Sequence, residues 1–477
     1  MTAPVVLAGG AVLPTGADNC AIATRELPPG ARVTLTDGST VRVAHAVPEG
    51  HRFSVATVPP GAALASWGLP FGSAVLPVAP GDYLATERML DVLRARRSDL
   101  TWPAGPNFEN RPLDPYVLES GPLAAVEQIA PVGSPGTFLG YDRGATAGTR
   151  NHIVILGTSA ATGPFAEAVA ARFAGAPLPD PVVAVAHTEG SDGRSSANLD
   201  LLVRTLTGFA RHPNVGAVLI VDEPGSLLTA AALASYAADR GYPAPTAQVA
   251  ALRRRGALHD DIDRAAATVT GWIPRIGAQR RTEIPLSRLN IALQCGGSDA
   301  FSGVSANPLA AAVGAEVIRH GGVAELAETD ELTGAESYLL DRVRDAGTAR
   351  QFLDTIAAFA ARVRAHGHTT EGNVSGGNIM RGLYNITLKS LGAARKRDPR
   401  VRLDHVIDYA EPIPGPGYTF MNSPGNDLES VAGQVASGCN LIFFTTGNGS
   451  ITNFPFVPTV KFVSTSRRYE LLAAEMD

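Results

Sequence analysis

The sequence predicts an α/β protein that consists of a small β-rich domain followed by two α/β lobes with mainly parallel sheets. Short segments of alternating polar and apolar residues, separated by Pro-Gly, Asp-Gly or Glu-Gly turns, fill residues 1–97. After residue 150, continuous apolar runs alternate with amphipathic segments of helical spacing, which is the pattern of β-α-β units. The pattern starts again after residue 285, so we expect a second lobe.

The boundaries of these parts follow from changes in composition. A helix in YLATERMLDVLRARR is predicted to close the β-rich domain at residue 97. Residues 98–148 are rich in Pro and Gly and show little periodicity, but their five aromatic side chains favour a linker packed on a neighbouring surface. The first lobe is then expected over residues 149–285 and the second over residues 286–477.

Each lobe is predicted from apolar runs that are followed by helical segments. The first lobe contains the runs HIVILGT, VVAVAHT and VGAVLIVDE. The second lobe contains LNIALQC, VAELAET, LDHVIDYAE, NLIFFTTG and TVKFVST. Runs of this kind are typical of strands that are buried on both faces of a parallel sheet.

The composition excludes several classes of protein. With 45% hydrophobic and 18% charged residues among 477, the chain has enough apolar material for real cores. A net charge of −5 gives no electrostatic basis for binding nucleic acid or an anionic membrane. The three cysteines, Cys20, Cys295 and Cys439, are too far apart for a CxxC metal site or a disulfide framework. Without a signal-like N-terminus or a long apolar run, we expect a soluble cytoplasmic protein.

Candidate substrate ligands lie at the predicted strand ends. In open parallel sheets, ligands bind where the carboxyl ends of strands meet loops and helix N-termini. Almost every strand end here combines Gly with Ser, Thr, Asn, Asp or Glu, groups that suit an anionic polyol, although any one such turn could simply reverse the chain. The candidates are Ser298, Asn373, Gly376, Gly377, Asn378, Ser423, Gly425, Asn426, Asp427, Thr446, Asn448 and Lys461.

Four residues are candidates for catalysis. In LQCGGSDAFSG, a concave turn would bring Cys295 and Asp299 together, with Cys295 as a soft ligand or nucleophile. The alternatives are a small buried thiol and a carboxylate that caps a helix. In AETDELTGAE, acidic runs usually form a solvated face, but Glu328 stands directly at a strand end and could be a base or metal ligand. Lys389 is either a base or carboxylate anchor, or an ordinary surface lysine.

Histidines offer a second kind of metal ligand. His187 and Glu189 follow a buried strand in AHTEG, and this pair suits a divalent cation of the iron or manganese type. The alternative is a loop histidine that is bonded to backbone. His366 and His368 end a predicted helix, where paired histidines are more often solvated.

At these motifs, the chain resembles the altronate/galactarate dehydratase (UxaA) family. The resemblance is carried by LQCGGSDAFSGVSANPLAAAVGAEVIRHGG, AETDELTGAE, EGNVSGGN and MNSPGNDLESVAGQVASGCNLIFFTTGNGS in the second lobe. RNHIVILGTSAATG resembles the first lobe of that family, and PEGHRFSVATVPPGAALASWGLPFGSAV resembles its N-terminal SAF-type, β-clip domain. The resemblance covers nearly the whole chain.

The resemblance implies a hydro-lyase that dehydrates a sugar acid, such as an aldonate or aldarate, to a 2-keto-3-deoxy acid. It also implies a divalent metal, Fe2+ in the first place, with Mn2+ or Mg2+ as alternatives. Family members often carry cysteines near Ser191 and within VDEPGS, and both are absent here, so His187, Glu189 and Glu223 are expected as ligands instead.

Two alternatives to dehydration of a sugar acid stay open. The missing cysteines are compatible with elimination or hydration of a different substrate, as in a sulfo-lyase. They are also compatible with an inactive protein that binds sugar acids. The expected partner in each case is a small hydroxy acid, and the β-rich domain could serve to assemble a homo-oligomer.

Overall fold

The computed structural model describes residues 4–118, 126–189 and 198–477. Its N-terminal part is a β-rich domain in which short strands are joined by tight turns. In chain order, its elements are β1 Val5–Leu7, β2 Ala11–Leu13, β3 Cys20–Ala23, β4 Arg32–Thr34, β5 Thr40–Arg42, β6 Arg52–Ser54, β7 Ala63–Ser66, β8 Leu69–Ala74, α1 Glu87–Arg96 and β9 Phe108–Asn110. They form the antiparallel sheet β1-β2-β3-β6, the hairpin β4-β5 and the sheet β7-β8-β9.

The turns of this domain follow from its Pro-x-Gly sequences. The amide of Ala31 donates to the carbonyl of Pro28, and that of His51 donates to Pro48. The third residue of each turn, Gly30 and Gly50, has a φ of +83° and +84°. A type II turn requires this left-handed conformation, which glycine adopts without steric cost.

The segment that follows α1 contains strands as well as loops. Besides β9, it includes β10 Thr137–Arg143 and β11 Thr146–Gly148. β9 pairs with β8, and β10 pairs with both β11 and residues 282–285 at the end of the first lobe. The segment 98–148, which the sequence predicts as a packed linker, therefore includes these three short strands. Their partners are mostly distant in sequence, so no local alternation reveals them.

The first lobe is built on a four-stranded parallel sheet. Its elements are β12 His152–Gly157, α2 Gly163–Ala171, β13 Val182–Val185, α3 Leu199–Ala210, β14 Val215–Asp222, α4 Ala230–Asp239, β15 Gln248–Arg253, α5 Leu258–Ala278 and β16 Thr282–Pro285. The sheet order is β13-β12-β14-β15, and every residue of β12 and β14 is buried. Helices on both faces explain why these strands are continuous apolar runs.

The second lobe is built on a six-stranded parallel sheet. Its elements are β17 Asn290–Gly296, α6 Ala306–Arg319, β18 Val323–Leu326, α7 Glu336–Leu340, α8 Ala346–Ala365, α9 Gly376–Ile379, α10 Ile386–Ala393, β19 Leu403–Ile407, β20 Gly417–Met421, α11 Asp427–Ser437, β21 Leu441–Thr446, β22 Thr459–Val463 and α12 Ser466–Leu471. The sheet order β19-β20-β18-β17-β21-β22 places the carboxyl ends of β17, β18, β20 and β21 side by side. The structure confirms the predicted fold class.

The second lobe packs against both other parts of the chain. A Cβ on Gly208 of α3 would lie 2.2 Å from the carbonyl oxygen of Ala436 in α11, so glycine is required where these helices meet. On the other side, the fully buried Arg52 of the β-rich domain donates to the carbonyl of Gly382 at 2.7 Å. Its guanidinium also lies 5.6 Å from the ring centre of Trp67. Backbone oxygen and aromatic faces thus stabilise a buried cation at this interface.

Among the described residues, the structure contains no helix that is long and apolar enough to cross a membrane.

Candidate active site

Four polar loops converge at the carboxyl edge of the second-lobe sheet. β17 ends at Cys295 and Gly296, and Glu328 follows β18 after one intervening residue. Glu328 has a φ of +71°, a left-handed conformation that is rare for any residue other than glycine. The Glu328 amide donates to Ser423 Oγ at 2.9 Å, and the amide of Thr329 donates to the carbonyl of Ser423 at 2.8 Å. The loop after β20 therefore holds Glu328 in its strained position, a pattern often seen at functional sites.

A thiol and two carboxylates form the centre of this site. Cys295 Sγ lies 3.3 Å from Glu331 Oε2 and 3.7 Å from Glu328 Oε2. All three side chains are buried, and their donor atoms lie within 4.8 Å of one another. In the described part of the chain, this is the one set of three or more His, Cys, Asp or Glu donors gathered so closely.

Glu331 belongs to the acidic run that the sequence predicts as a solvated face. That prediction is wrong for Glu331 and Glu336, which are buried, and Glu325, which precedes the run in β18, is buried as well. After β18, the chain turns inward through a 3-10 turn at Thr329–Leu332, which packs against α8 and α10. The insertion between β18 and β19 covers the acidic run, so its carboxylates face the protein interior.

Two lysines complete the polar centre. The ammonium of Lys396 pairs with Glu328 and lies 3.1 Å from Cys295 Sγ, and it is fully buried. The ammonium of Lys389 lies 2.9 Å from Glu331 Oε1 and donates to the carbonyl of Asn373 at 3.2 Å. Sequence reasoning missed Lys396, although its spacing of seven residues from Lys389 would place both on one helix face. Lys389 lies in α10 and Lys396 in the 3-10 turn that follows it.

Burial and mutual repulsion disfavour negative charge at this centre. Burial, together with the carboxylate of Glu331, raises the pKa of Glu328 to about 8, although the Lys396 ammonium acts in the opposite direction. Burial also raises the pKa of the Cys295 thiol well above its ordinary value. The pKa of Asp427 at the rim is raised by burial and by Glu331. When several acidic side chains lie together away from water, the site is stabilised either by protonation of these groups or by binding of a cation.

The donor set at this centre fits a divalent metal ion. Glu328 Oε1 is buried and accepts no hydrogen bond from the described residues, so one carboxylate oxygen is free for a ligand. Four carboxyl groups, those of Glu328, Asp330, Glu331 and Asp427, surround two ammonium groups, which leaves two negative charges when all are ionised. A thiolate with carboxylates suits a transition metal better than Mg2+ or Ca2+. The group could therefore hold a metal ion.

The metal ligands expected from the sequence, His187, Glu189 and Glu223, have other surroundings in the structure. Glu223 Oε1 accepts from Ser159 Oγ at 2.9 Å, and the carbonyl of Glu189 accepts from the amide of Ala160 at 2.8 Å. Among the described residues, the donor atoms of His187, Glu189 and Glu223 do not form a close set of three. Ser191 and the rest of the AHTEGSDG turn after residue 189 lie outside the described residues. His366 and His368 are both exposed.

Asp299 stabilises the turn that follows β17. Its Oδ1 accepts from the amides of Phe301 at 3.0 Å and Ser302 at 2.8 Å, and its Oδ2 accepts from Ser464 Oγ at 2.6 Å. Asn378 Nδ2 donates to the carbonyl of Ser298 at 2.9 Å. Both carboxylate oxygens of Asp299 are thus engaged in capping this turn, whereas helix α6 begins later with Ser305 as its N-cap.

Several of the predicted substrate ligands line the rim of the centre. Asn373 Nδ2 donates to Asp330 Oδ2 at 2.5 Å, and the amide of Gly425 donates to Asp330 Oδ1 at 2.7 Å. Asp427 Oδ2 accepts from Ser450 Oγ at 3.4 Å. A Cβ on Gly296 would lie 2.2 Å from Asp427 Oδ2, so glycine lets this carboxylate approach the strand end.

The other predicted ligands make contacts outside the Cys295–Glu328–Glu331 centre, and their role in binding stays a prediction. Asn426 is exposed and caps α11. Thr446 is buried, and its hydroxyl accepts from three amides of its own turn. Lys461 donates to Asn453 Oδ1 at 2.6 Å. Gly376 and Gly377 begin α9 beside Arg96 and Arg381, and a Cβ on Gly297 would lie 2.7 Å from Cβ of Asn448.

Comparison with models of known protein families tests the family resemblance that the motifs indicate. Residues 286–477 match the model of the D-galactarate/altronate dehydratase C-terminal domain, and residues 140–276 match that of the D-galactarate dehydratase/altronate hydrolase second domain. Residues 11–91 match the altronate/galactarate dehydratase SAF domain. The chain belongs to the galactarate/altronate dehydratase family. This confirms the resemblance seen in the sequence, and it confirms that the chain is an enzyme of the hydro-lyase class.

Individual relatives in this family span most of the chain. It is 29% identical to the altronate dehydratase of Escherichia coli over 470 residues, which covers 94% of this chain and 86% of the relative. It is 31% identical to the (2R)-sulfolactate sulfo-lyase subunit beta of Chromohalobacter salexigens over 345 residues, or 72% of this chain and 85% of the relative. The galactarate dehydratase (L-threo-forming) of Escherichia coli is 25% identical over 269 residues, or 55% of this chain and 51% of the relative.

Proposed function

We propose that this member of the galactarate/altronate dehydratase family removes water from a sugar acid, an aldonate or aldarate, to give a 2-keto-3-deoxy acid. One observation carries the proposal: Cys295, Glu328 and Glu331 form a buried, acidic donor set that faces Lys389 and Lys396 at the converging strand ends. Elimination of water next to a carboxylate requires such a combination of cation, acid and base.

We propose Fe2+ as the metal of this site, with Mn2+ and Mg2+ as alternatives. The thiol of Cys295 favours iron over magnesium because a thiolate is a soft ligand. Bound there, a divalent cation would supply Lewis-acid polarisation of the carboxylate and hydroxyl groups of a sugar acid. Glu328 and Glu331 would hold the cation together with Cys295.

The lysines bind and orient rather than transfer protons in this proposal. Burial opposes the charge of Lys389, but Glu331 and its other neighbours outweigh this effect and raise the Lys389 pKa above its ordinary value. A permanently charged ammonium is a poor base and a good anchor for a carboxylate. Lys389 keeps 9% of its side chain exposed, so it is suited to bind the substrate, whereas Lys396 is fully buried and positions Glu328.

Asp427 is suited to move the proton. It is partly exposed at the rim, and burial and Glu331 raise its pKa, so it can bind and release a proton closer to neutral pH than an ordinary aspartate. We assign to Asp427 the exchange of a proton with the substrate, either at C2 or at the departing C3 hydroxyl. Asp299 maintains the shape of the turn beside it.

Elimination of sulfite from a sulfonated hydroxy acid is the second candidate function. The 31% identity to a sulfo-lyase subunit supports it. That relative matches 72% of this chain, whereas altronate dehydratases match 94% and 95%. Dehydration is therefore the better-supported reaction. We further propose that the enzyme acts in the cytoplasm on a small free acid and assembles as a homo-oligomer.

The test is a product assay on the anaerobically purified chain reconstituted with Fe2+. Altronate, galactarate and sulfolactate are supplied separately, and 2-keto-3-deoxy acid and sulfite are measured. Keto acid formed from a sugar acid by the wild type and by Glu336→Gln, but not by Glu328→Gln, is the expected result. Sulfite release in place of keto acid would establish the second candidate. No product from any of the acids by the metal-loaded protein would contradict both.

A further inference from the structure

A chain of buried hydrogen bonds runs behind the candidate active site. The amide of Glu328 donates to Ser423 Oγ at 2.9 Å, and Ser423 Oγ lies 3.1 Å from Ser430 Oγ. Ser430 Oγ in turn donates to Gln294 Oε1 at 3.0 Å. None of these residues is more than 2% exposed. We call Ser423, Ser430 and Gln294 the serine chain.

The serine chain connects four segments that are distant in sequence. Gln294 lies on β17 directly before Cys295, and Ser430 lies on α11. Ser423 belongs to the loop between β20 and α11, and Glu328 follows β18. The chain therefore joins the strand that carries the thiol to the loop that carries the carboxylate.

The chemistry of these groups sets the direction of the chain. A serine hydroxyl has one proton to donate, whereas an amide oxygen only accepts. Ser430 gives its proton to Gln294, so it can only accept from Ser423. Ser423 then donates to Ser430 and offers a lone pair to the amide of Glu328. The amide and both hydroxyls thus have acceptors, and hydrogen bonds in such a row strengthen one another.

The serine chain closes a ring through two of the proposed metal ligands. Glu328 Oε2 lies 3.7 Å from Cys295 Sγ and 3.4 Å from the Cys295 amide nitrogen. The ring runs from Cys295 through the carboxylate and the amide of Glu328, then along the serine chain and back to β17. Because each link determines the position of the next, the ring sets the distance between thiol and carboxylate.

The backbone of Glu328 requires support of this kind. Its φ of +71° lies in the left-handed region, and a strained backbone persists only where surrounding contacts determine it. Ser423 also binds the next residue: its carbonyl accepts from the Thr329 amide at 2.8 Å, and its own amide donates to Thr329 Oγ1 at 3.1 Å. Ser423 therefore contributes three hydrogen bonds to the strained turn.

We propose that the serine chain positions Glu328 for metal binding, with Ser423 and Ser430 as positioning residues. The proposal deepens the proposed function and rests on its metal centre. With its amide held by Ser423, Glu328 keeps Oε2 beside Cys295, while Oε1 has no partner among the described residues. Ser423, which the sequence predicts as a substrate ligand, acts through Glu328 in this proposal. A ligand that is held in place before the metal arrives binds the metal more tightly.

Calorimetric titration of the full chain with Mn2+ tests the proposal. Ser423→Ala removes the acceptor of the Glu328 amide and should lower Mn2+ affinity about 10-fold or more. Ser430→Ala interrupts the chain one step further away and should lower the affinity about 3- to 10-fold. Ser437→Ala is the matched control, because Ser437 is also a buried serine of α11 but donates to Glu325 instead of to the serine chain. It should change the affinity by less than about twofold.

A double-mutant cycle separates positioning from a general loss of stability. In a Glu328→Gln background, Ser423→Ala should lower Mn2+ affinity by less than about twofold, because no carboxylate is left to position. An equal loss in both backgrounds would overturn the inference. So would an unchanged affinity in Ser423→Ala, or a loss in Ser437→Ala as large as that in Ser430→Ala.

These outcomes are distinct from failure of the proposed function. A wild type that binds no Mn2+ would overturn the proposed metal centre, and a crystal structure of Ser423→Ala would then decide on positioning. The Glu328 carboxylate is expected to move away from Cys295, and an unchanged carboxylate position would overturn the inference. If Ser423→Ala does not fold, Ser430→Ala, which keeps the Ser423 hydroxyl, provides both the titration and the structure.

Discussion

Metal binding at the Cys295–Glu328–Glu331 centre should release protons, and the number follows from the structure. The pKa of Glu328 is raised to about 8, so at pH 7 about one tenth of this carboxyl is ionised before metal binds. The Cys295 thiol, with its pKa raised well above the ordinary value, is protonated at the same pH. A metal ion that takes both as ligands must displace both protons, which gives about two protons per metal at pH 7.

The apparent affinity for metal should therefore depend strongly on pH. Below pH 8, displacement of two protons makes it rise by up to ~100-fold per pH unit, and above pH 8, the contribution of Glu328 disappears. Calorimetric titration with Mn2+ in buffers of different protonation enthalpy, at pH 6, 7 and 8, measures both quantities. Glu328→Gln and Cys295→Ser should each remove about one proton, while Glu336→Gln should remove none.

A release of less than about half a proton at pH 7 would refute this reasoning, as would an affinity that is the same at pH 6 and pH 8. Either result would mean that the metal does not contact Glu328 and Cys295. A release that Glu328→Gln leaves unchanged would remove Glu328 alone from the ligand set.

Three further predictions concern single carboxyl groups. Glu331→Gln should lower metal affinity by at least about tenfold and turnover by about 100-fold, whereas turnover unchanged relative to Glu336→Gln would exclude Glu331 from the site. Asp299→Asn should lower the free energy of unfolding by about 1–3 kcal/mol through its bonds to Ser302 and Ser464, and calorimetric metal affinity should stay constant; lost affinity at unchanged stability would contradict this. Glu325, fully buried with its pKa raised by burial to about 8, stabilises the fold below pH ~4.5, and this stability is lost as the pH rises through about 8. Denaturation of Glu325→Gln from pH 5 to 8.5 should show a flatter pH profile than the wild type, and parallel profiles would contradict the assignment.

Much of the architecture can be predicted from the sequence because, in both lobes, the local pattern of apolar residues matches the secondary structure that forms. Strands such as β12 and β14 are buried on both faces, so their residues form unbroken apolar runs that helices follow. β9, β10 and β11 are different, because they are short and pair largely with partners that are distant along the chain. Their formation depends on tertiary contacts, which the local alternation of polar and apolar residues does not predict.

The candidate site was readable in part, for a similar reason. Strand ends identified Cys295 and Glu328, since the sheet geometry requires loops to converge there. Glu331 and Lys396 were missed because the acidic run and α10 lie inside an insertion, and burial of such an insertion is a property of the whole lobe. The sequence could show that Lys396 follows Lys389 at helical spacing, but not that both point towards a buried carboxylate.

The most direct test of the central claim is the position of a bound metal in a crystal of the full chain grown with Mn2+. An anomalous difference map should show a peak within coordination distance of Cys295 Sγ and of the carboxylates of Glu328 and Glu331. A peak beside His187, Glu189 and Glu223 would contradict this account, as would a crystal whose only Mn2+ lies elsewhere while the protein is active.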